Sequence, residues 1–199
     1  MSIRKFLLTG LFLIGINFYN CSNCECCFGE VPEFFDIQDV FVDHLGLEGQ
    51  LLGSDEIAFD EYGTISIGFE VEYLVQHSNY NSGFSLINSV YGCTPAQPGQ
   101  LGSKEESIES FQVLTLNDFD DTHLAGESIN DLLEITNLAI EPVPLEEFLT
   151  NFTENVPQEW FNLRLLNEPT LSKAFQVMVN VSLSTGENYQ VSSSIINFE

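Results

Sequence analysis

The chain has 199 residues, and 44% of them are hydrophobic, a share that suits a globular protein and is too high for a disordered one. Its formal net charge of −25 comes from 30 acidic residues against five Lys and Arg. Nucleic acid is excluded as a partner because nothing would neutralise its phosphates, and direct binding to anionic membrane surfaces is disfavoured. A solvated acidic shell is the simplest interpretation of this charge, and a cation-binding surface is the alternative.

Residues 1–20 predict an export signal. Arg4 and Lys5 form a basic start, and the apolar run over residues 6–16 is shorter than the roughly 20 residues that span a bilayer. A cysteine, Cys21 in "NFYNC", follows where a small-residue cleavage site is otherwise expected. This order favours lipidation of Cys21 over simple secretion, and it leaves a short core helix as the other interpretation. We therefore expect a protein anchored to the outer membrane, facing the periplasm or the cell surface.

The other four cysteines are disulfide candidates. Lipidation of Cys21 leaves an even number, which can form two bridges. Adjacent cysteines rarely bond each other, so one of the pair at 26 and 27 is expected to reach Cys93, and the other can pair with Cys24. Zinc and an iron–sulfur cluster are weaker alternatives, because the spacing lacks two separated ligand pairs. A thioredoxin-like redox site is equally weak, because "CSNC" lies in a tether and not at the start of a helix after a strand. The candidates are Cys24, Cys26, Cys27 and Cys93.

From residue 34 the chain shows strand patterns, after a cysteine-rich tether over residues 21–33. "FFDIQDVFVD" alternates imperfectly, with a shift at Val40, whereas "GTISIGFEVEYLV" places every odd-numbered side chain from 65 to 75 on one apolar face. Residues 84–91 form another predicted strand before the loop "TPAQPGQLGS", and "SIESFQVLTL" is a fourth. "KAFQVMVNVSLSTGENYQVSSSIINF" predicts a closing hairpin with its turn at Gly186.

Two short helices are expected between these strands. "ESINDLLEI" opens with Ser128 followed three residues later by Asp131, which is a capping-box spacing, and "PLEEFLTNF" has Pro144 at a helix start with two acids after it. The order of strands, helices and strands, with no alternation of the two, disfavours a parallel sheet. It predicts a mainly β fold, an antiparallel, immunoglobulin-like β-sandwich with short helices in its connections, forming one domain over residues 34–199.

Candidate chemistry is sparse. His44, His77 and His123 are scattered, with no metalloprotease, nucleophile-elbow or phosphate-loop motif around them, and Cys93 is better explained as a disulfide partner than as a nucleophile. The acids of "NDFDDTHLAG" offer hard oxygen ligands for calcium, although their offsets are not those of an EF-hand loop and a polar loop is the simpler explanation. The calcium candidates are Asp118, Asp120 and Asp121.

Two further groups of residues are expected to be structural. An earlier set of acids, Asp36, Asp39 and Asp43, fits a strand surface better than a site. Trp160 and Phe161 in "QEWFNLRLL" are predicted core residues, with an exposed partner patch as the alternative.

Several segments together resemble a group of uncharacterised, flavobacterial-type lipoproteins of the Bacteroidetes. They are the cysteine cluster with "CECC", then "EFFDIQDV", "YGCTPAQPGQLGSKEESIESFQVLT" and "DFDDTHLAGESINDLLEI", followed by the hairpin. The resemblance covers nearly the whole chain after the signal, and it implies location and architecture but no activity.

We therefore expect an exported, lipid-anchored, non-enzymatic binding or accessory protein that requires no cofactor. Its contact with the membrane would be through the anchor alone, and a protein or glycan at the cell surface would be its partner. Two alternatives remain open: a calcium-dependent adhesion or glycan-binding domain, and an exported hydrolase that uses paired carboxylates.

Overall fold

The structure is a computed structural model that describes residues 31–54, 56–74, 97–138, 141–151 and 155–199. Within this part of the chain the fold is mainly β, as predicted, with one short α-helix, α1 (Leu145–Asn151). The strands are β1 (Phe34–Gly46), β2 (Glu56–Ile57), β3 (Tyr62–Leu74), β4 (Ile108–Thr115), β5 (Leu133–Ile135), β6 (Val143–Pro144), β7 (Trp160–Leu165), β8 (Ala174–Phe175), β9 (Val177–Leu183), β10 (Asn188–Ser192) and β11 (Ile196–Phe198).

These strands form three sheets. The largest has the order β1-β3-β7-β5-β6, the second has the order β10-β9-β4, and the third has the order β2-β11-β8. Pairing is antiparallel throughout the first two sheets, which confirms the prediction. The exception is the short parallel pair of β11 with β2 in the third sheet.

The alternation in β3 works as predicted over its first half. Ile65, Ile67 and Phe69 are buried, because every second side chain of a strand points to the same face. Farther along, Tyr73 is 41% exposed, and among the described residues β7 pairs with β3 only from Ile65 to Gly68. The shift predicted in β1 is a bulge: the register with β3 slips between Ile37 and Asp39.

The closing hairpin is also confirmed, with a difference at its end. Val177, Val179, Val181 and Leu183 of β9 are buried, and Gly186 adopts the positive φ of 102° that the turn requires. The return strand β10 stops at Ser192. The chain then changes sheets: Ile195 is 41% exposed, although the alternation of the hairpin predicts that it faces inward, and β11 pairs with β8.

One of the two predicted helices is present and the other is not. α1 begins directly after Pro144, with Glu146 and Glu147 in its first turn. The segment 127–135 instead forms a single 3-10 turn, Asn130–Leu132, and then strand β5. The helix prediction was wrong because β5 pairs on both sides, with β7 and with β6. Two flanking strands satisfy its backbone as well as a helix would.

The inward faces of the three sheets contribute to one hydrophobic core. Phe111 of β4 and Phe161 of β7 meet across two sheets, with ring centroids 6.3 Å apart. The ring centroid of Phe175 in β8 lies 5.9 Å from that of Phe198 in β11 and 5.5 Å from that of His44 in β1. The arrangement is sandwich-like, and the immunoglobulin-like connectivity stays a prediction.

Several predicted features lie outside the described residues. They are the export signal over residues 1–20, the five cysteines, His77, Val75 and the strand predicted over residues 84–91. Of the predicted tether, the structure describes only residues 31–33. Within the part that it describes, no helix is long and apolar enough to cross a membrane.

Candidate functional site

The predicted calcium ligands lie in the loop after β4, where two of them hold the loop itself. Asp118 Oδ1 accepts the N–H of Ala125 at 3.0 Å. Asp120 Oδ1 accepts the N–H groups of Thr122 and His123, each at 2.8 Å. Hydrogen bonds from backbone N–H groups to nearby Asp side chains stabilise short polar turns. They support the alternative interpretation of the segment as a polar loop.

The described residues contain no group of three or more His, Cys, Asp or Glu side chains placed to hold a metal ion. The side chains of Asp118 and Asp120 are directed to separate backbone donors. Calcium binding by Asp118, Asp120 and Asp121 stays a prediction.

His123 joins the same loop to the turn before β5. Its Nδ1 lies 2.9 Å from Asp120 Oδ1, and its Nε2 lies 3.2 Å from Asp131 Oδ1. Burial by itself would lower the pKa of His123, but the hydrogen bond to Asp120 and the charges of Asp131 and Asp120 outweigh it and raise the pKa. The hydrogen bond from Thr122 leads the causes that lower the pKa of Asp120 to about 2. His123 thus links two carboxylates that are eleven positions apart in the sequence.

His44 is at the centre of a buried polar network. Its Nδ1 lies 2.8 Å from the hydroxyl of Tyr62, and its Nε2 lies 2.8 Å from Oγ of Ser193. The Ser193 hydroxyl donates to the Ser194 carbonyl and accepts the N–H of Val177. One proton arrangement satisfies every group: Nε2–H donates to Ser193, and Nδ1 accepts from Tyr62.

This network is structural despite its resemblance to a nucleophile and base. His44 is fully buried, Ser193 is 4% exposed, and the serine hydroxyl is already donated, so a substrate has no access to it. Burial lowers the pKa of His44 to about 4, against the hydrogen bond to the Ser194 backbone, which raises it. A neutral His44 therefore fastens β1 and β3 to the segment between β10 and β11.

A second buried polar group caps the outer edge of β1 at Ile37. Glu106 is 3% exposed, and its Oε1 accepts the N–H of Ile37 at 3.0 Å. No donor among the described residues reaches its Oε2. Burial, and then the neighbouring Asp36 carboxyl, raise the pKa of Glu106, against the Ile37 N–H, which lowers it. Glu106 thus places a second carboxyl group beside Asp36 at the junction of the sheets.

The outer face of the five-stranded sheet carries two exposed aromatic rings in one row. Phe41 of β1 pairs with Gly68 of β3, and Gly68 pairs with Trp160 of β7. Phe41 is 49% exposed and Trp160 is 51% exposed. The Phe41 ring covers Gly68, since a Cβ added there would overlap its Cζ. This set, Phe41, Gly68 and Trp160, is called the aromatic row below.

The sequence pattern predicted the position of only one of the two neighbouring aromatic residues, Trp160 and Phe161, correctly. Phe161 is in the core, with 1% exposure, but its neighbour Trp160 faces outward, so the expectation of a core position was right for one residue and wrong for the other. No sequence motif marks Phe41 as a site residue. The alternation of β1 could have indicated it, because Phe41 lies between Val40 and Val42, which are both buried, and therefore points to the outer face.

Three kinds of described polar and aromatic groups thus stand out. The His44 and Glu106 groups are buried between elements, the His123 group holds a surface loop, and the aromatic row is exposed. Of these, the aromatic row has the accessibility that binding a partner requires. The chain matches no protein-family model, no curated protein and no solved structure.

Proposed function

We propose that the chain is an exported, lipid-anchored, non-enzymatic protein that binds a partner through the outer face of its five-stranded sheet. The observation that carries the binding part is the aromatic row, in which two large rings from different strands are each half exposed. Large exposed apolar groups clustered on one face are typical of interaction sites.

The disposition of the polar residues supports binding over catalysis. The His44 imidazole and the Ser193 hydroxyl have their bonding capacity used inside the core. Both nitrogens of His123 face carboxylates of its own loop region. These groups stabilise the fold, and the exposed rings remain as the surface on which a partner could act.

The anchoring part of the proposal rests on the sequence. Arg4 and Lys5, the apolar run over residues 6–16 and the cysteine at 21 form the order of a lipoprotein signal. More than one acyl chain on Cys21 would give stable attachment to the outer membrane, whereas a single chain binds reversibly. The domain would then face the periplasm or the cell surface.

Anchoring is tested by labelling cells with radioactive palmitate. We expect label in the wild-type chain and in Cys24→Ser, and none in Cys21→Ser. Equal labelling of Cys21→Ser would show that Cys21 is not the anchor.

Binding is tested at Trp160, which is the only tryptophan in the chain. The full chain grown with 5-fluorotryptophan gives a single fluorine resonance, which reports on the aromatic row. We expect unlabelled cell-envelope extract from the source organism to shift or broaden this resonance, and serum albumin at equal concentration to leave it unchanged. A resonance that the extract does not change would contradict a binding role for this face.

A further inference from the structure

We propose that the aromatic row binds a cationic polypeptide segment, with Lys or Arg side chains placed over the rings of Phe41 and Trp160. This inference rests on the proposed function and names the chemistry of the partner. An ammonium or guanidinium group is attracted to the face of an aromatic ring by the ring quadrupole, and Trp offers the best such face.

The geometry of the row suits a short segment of chain. Neighbouring strands lie about 4.8 Å apart, so the Cα atoms of Phe41 and Trp160 are separated by about 10 Å across Gly68. Gly68 has no side chain, so the Phe41 ring lies over it, at the middle position of the row. Two cationic side chains of one short segment can therefore reach both rings at once.

The charge around the row provides the complementarity. In the next outward-facing row, Asp39 lies directly opposite Glu70 in the register of β1 and β3, and both are exposed. On the other side of the aromatic row, Asp43 pairs with Ser66. Like charges directly opposite each other destabilise a sheet. A bound cation relieves that repulsion, which neither a neutral nor an anionic partner can do.

The protein's own bases do not neutralise this face. Among the described residues, Arg164 pairs with Glu134, Lys104 lies 3.9 Å from Glu105, and Lys173 lies 3.9 Å from Glu56. Each of these bases thus has an acidic partner away from Asp39 and Glu70. With a formal net charge of −25 behind it, the face attracts positive partners over distances of a Debye length, about 8 Å at physiological salt.

The test uses the full chain and a blocked ten-residue lysine peptide as the probe, with binding measured by calorimetry at low salt and near physiological salt. The same peptide with every side chain acetylated is the neutral control. We expect binding of the cationic peptide only. Phe41→Leu, which keeps an apolar cover over Gly68, and Trp160→Leu should each weaken it about two- to fivefold.

Matched variants separate the rings from the overall charge. Leu171→Ala removes a side chain that is 53% exposed but lies outside the aromatic row, so it should bind as the wild type does. Glu70→Gln should weaken binding more than Glu48→Gln, although each removes one exposed charge. Thermal melts followed by circular dichroism check that every variant is folded.

Two outcomes overturn the inference. If Phe41→Leu and Trp160→Leu bind the peptide as tightly as Leu171→Ala does, the attraction is general charge and not the aromatic row. If a neutral oligosaccharide such as cellohexaose binds in a Trp160-dependent manner and the peptide does not, the partner is a glycan. In either case a response of the Trp160 fluorine resonance to envelope extract would leave the proposed binding function standing.

Discussion

The hydroxyl of Tyr189 donates a hydrogen bond to the main-chain carbonyl of Ile37 at 3.1 Å, across 152 positions of sequence. The N–H of Ile37 donates to Glu106 Oε1, so side chains satisfy both backbone polar groups of Ile37 at the outer edge of β1. An uncovered edge invites pairing with other chains. Here the edge of the five-stranded sheet is capped at Ile37 by Tyr189 of β10 and by Glu106, which lies just before β4.

Glu106→Gln should leave the free energy of unfolding at pH 7 unchanged or raise it. Its amide oxygen can still accept the Ile37 N–H, while the charge beside Asp36 is gone. Glu106→Ala should lower it by about 1–3 kcal/mol, because the buried Ile37 N–H loses its acceptor. Urea unfolding measures both, with the neighbouring, 73%-exposed Glu105→Gln as the control within about 0.5 kcal/mol.

The difference in the free energy of unfolding between the wild type and Glu106→Gln should change with pH. The pKa of Glu106 in the folded state is raised, so burying its charge costs no stability below the unfolded pKa, near 4.5. The cost appears as pH rises through the folded pKa, because the wild type must then hold a buried charge. The stability advantage of Glu106→Gln should therefore grow from pH 4 to pH 7. An advantage that shrank over this range would mean that the Glu106 pKa is not raised.

Ser193→Ala should destabilise the fold by about 2–4 kcal/mol. The substitution removes the hydroxyl that accepts from His44 Nε2–H and from the Val177 N–H, and each such loss costs about 1–3 kcal/mol. Ser192→Ala, at the neighbouring exposed position, is the matched control. Equal urea midpoints for the two variants would argue against the network.

The pKa values of the two described histidines should be shifted in opposite directions. His44 should stay neutral, with its proton on Nε2, down to a pKa of about 4, whereas His123 should stay protonated above the ordinary value of about 6.5. Long-range proton–nitrogen NMR spectra distinguish the two rings and their tautomers. A His44 ring that is charged at pH 5.5 would contradict the assigned proton arrangement.

These shifts have opposite consequences for stability. The fully buried His44 has a lowered pKa, so its contribution is present above pH 6.5 and falls away towards pH 4, by up to about 3 kcal/mol. The His123 contribution is fully present below pH 6.5 and is lost as pH rises through the raised folded pKa. His123→Gln should therefore reduce the urea midpoint at pH 6 and have little effect at high pH.

Gly102→Ala should be far more harmful than Gly49→Ala. Both glycines have a positive φ, 82° and 79°, so both substitutions carry a similar backbone strain of about 1–2 kcal/mol. At Gly49 an added Cβ meets nothing within 4 Å, whereas at Gly102 it would overlap the carbonyl oxygen of Val156. We expect a total cost of about 3 kcal/mol at Gly102, and equal melting temperatures for the two variants would refute the close approach.

Local patterns were sufficient where a strand has one wet face and one buried face. The phase of β3, the bulge in β1 and the turn at Gly186 were all visible in the order of residues. The start of α1 was visible too, because Pro144 and the acids after it favour a helix. Segment 127–135 was misassigned, since its capping pattern is local and the two strands that pair with β5 are not.

The order of residues also carried the acidic character, the expectation of a lipoprotein-type signal and the oxygen-rich loop at Asp118 and Asp120, because these depend on neighbours in the chain. Chain folding alone brought His44 to Ser193, 149 positions away, and placed Phe41 in one row with Trp160. A two-residue period fixes which face a side chain takes but not which strand lies beside it. Strand pairing is chosen by the packing of the whole core, so the candidate binding face became visible only when the sheet was assembled.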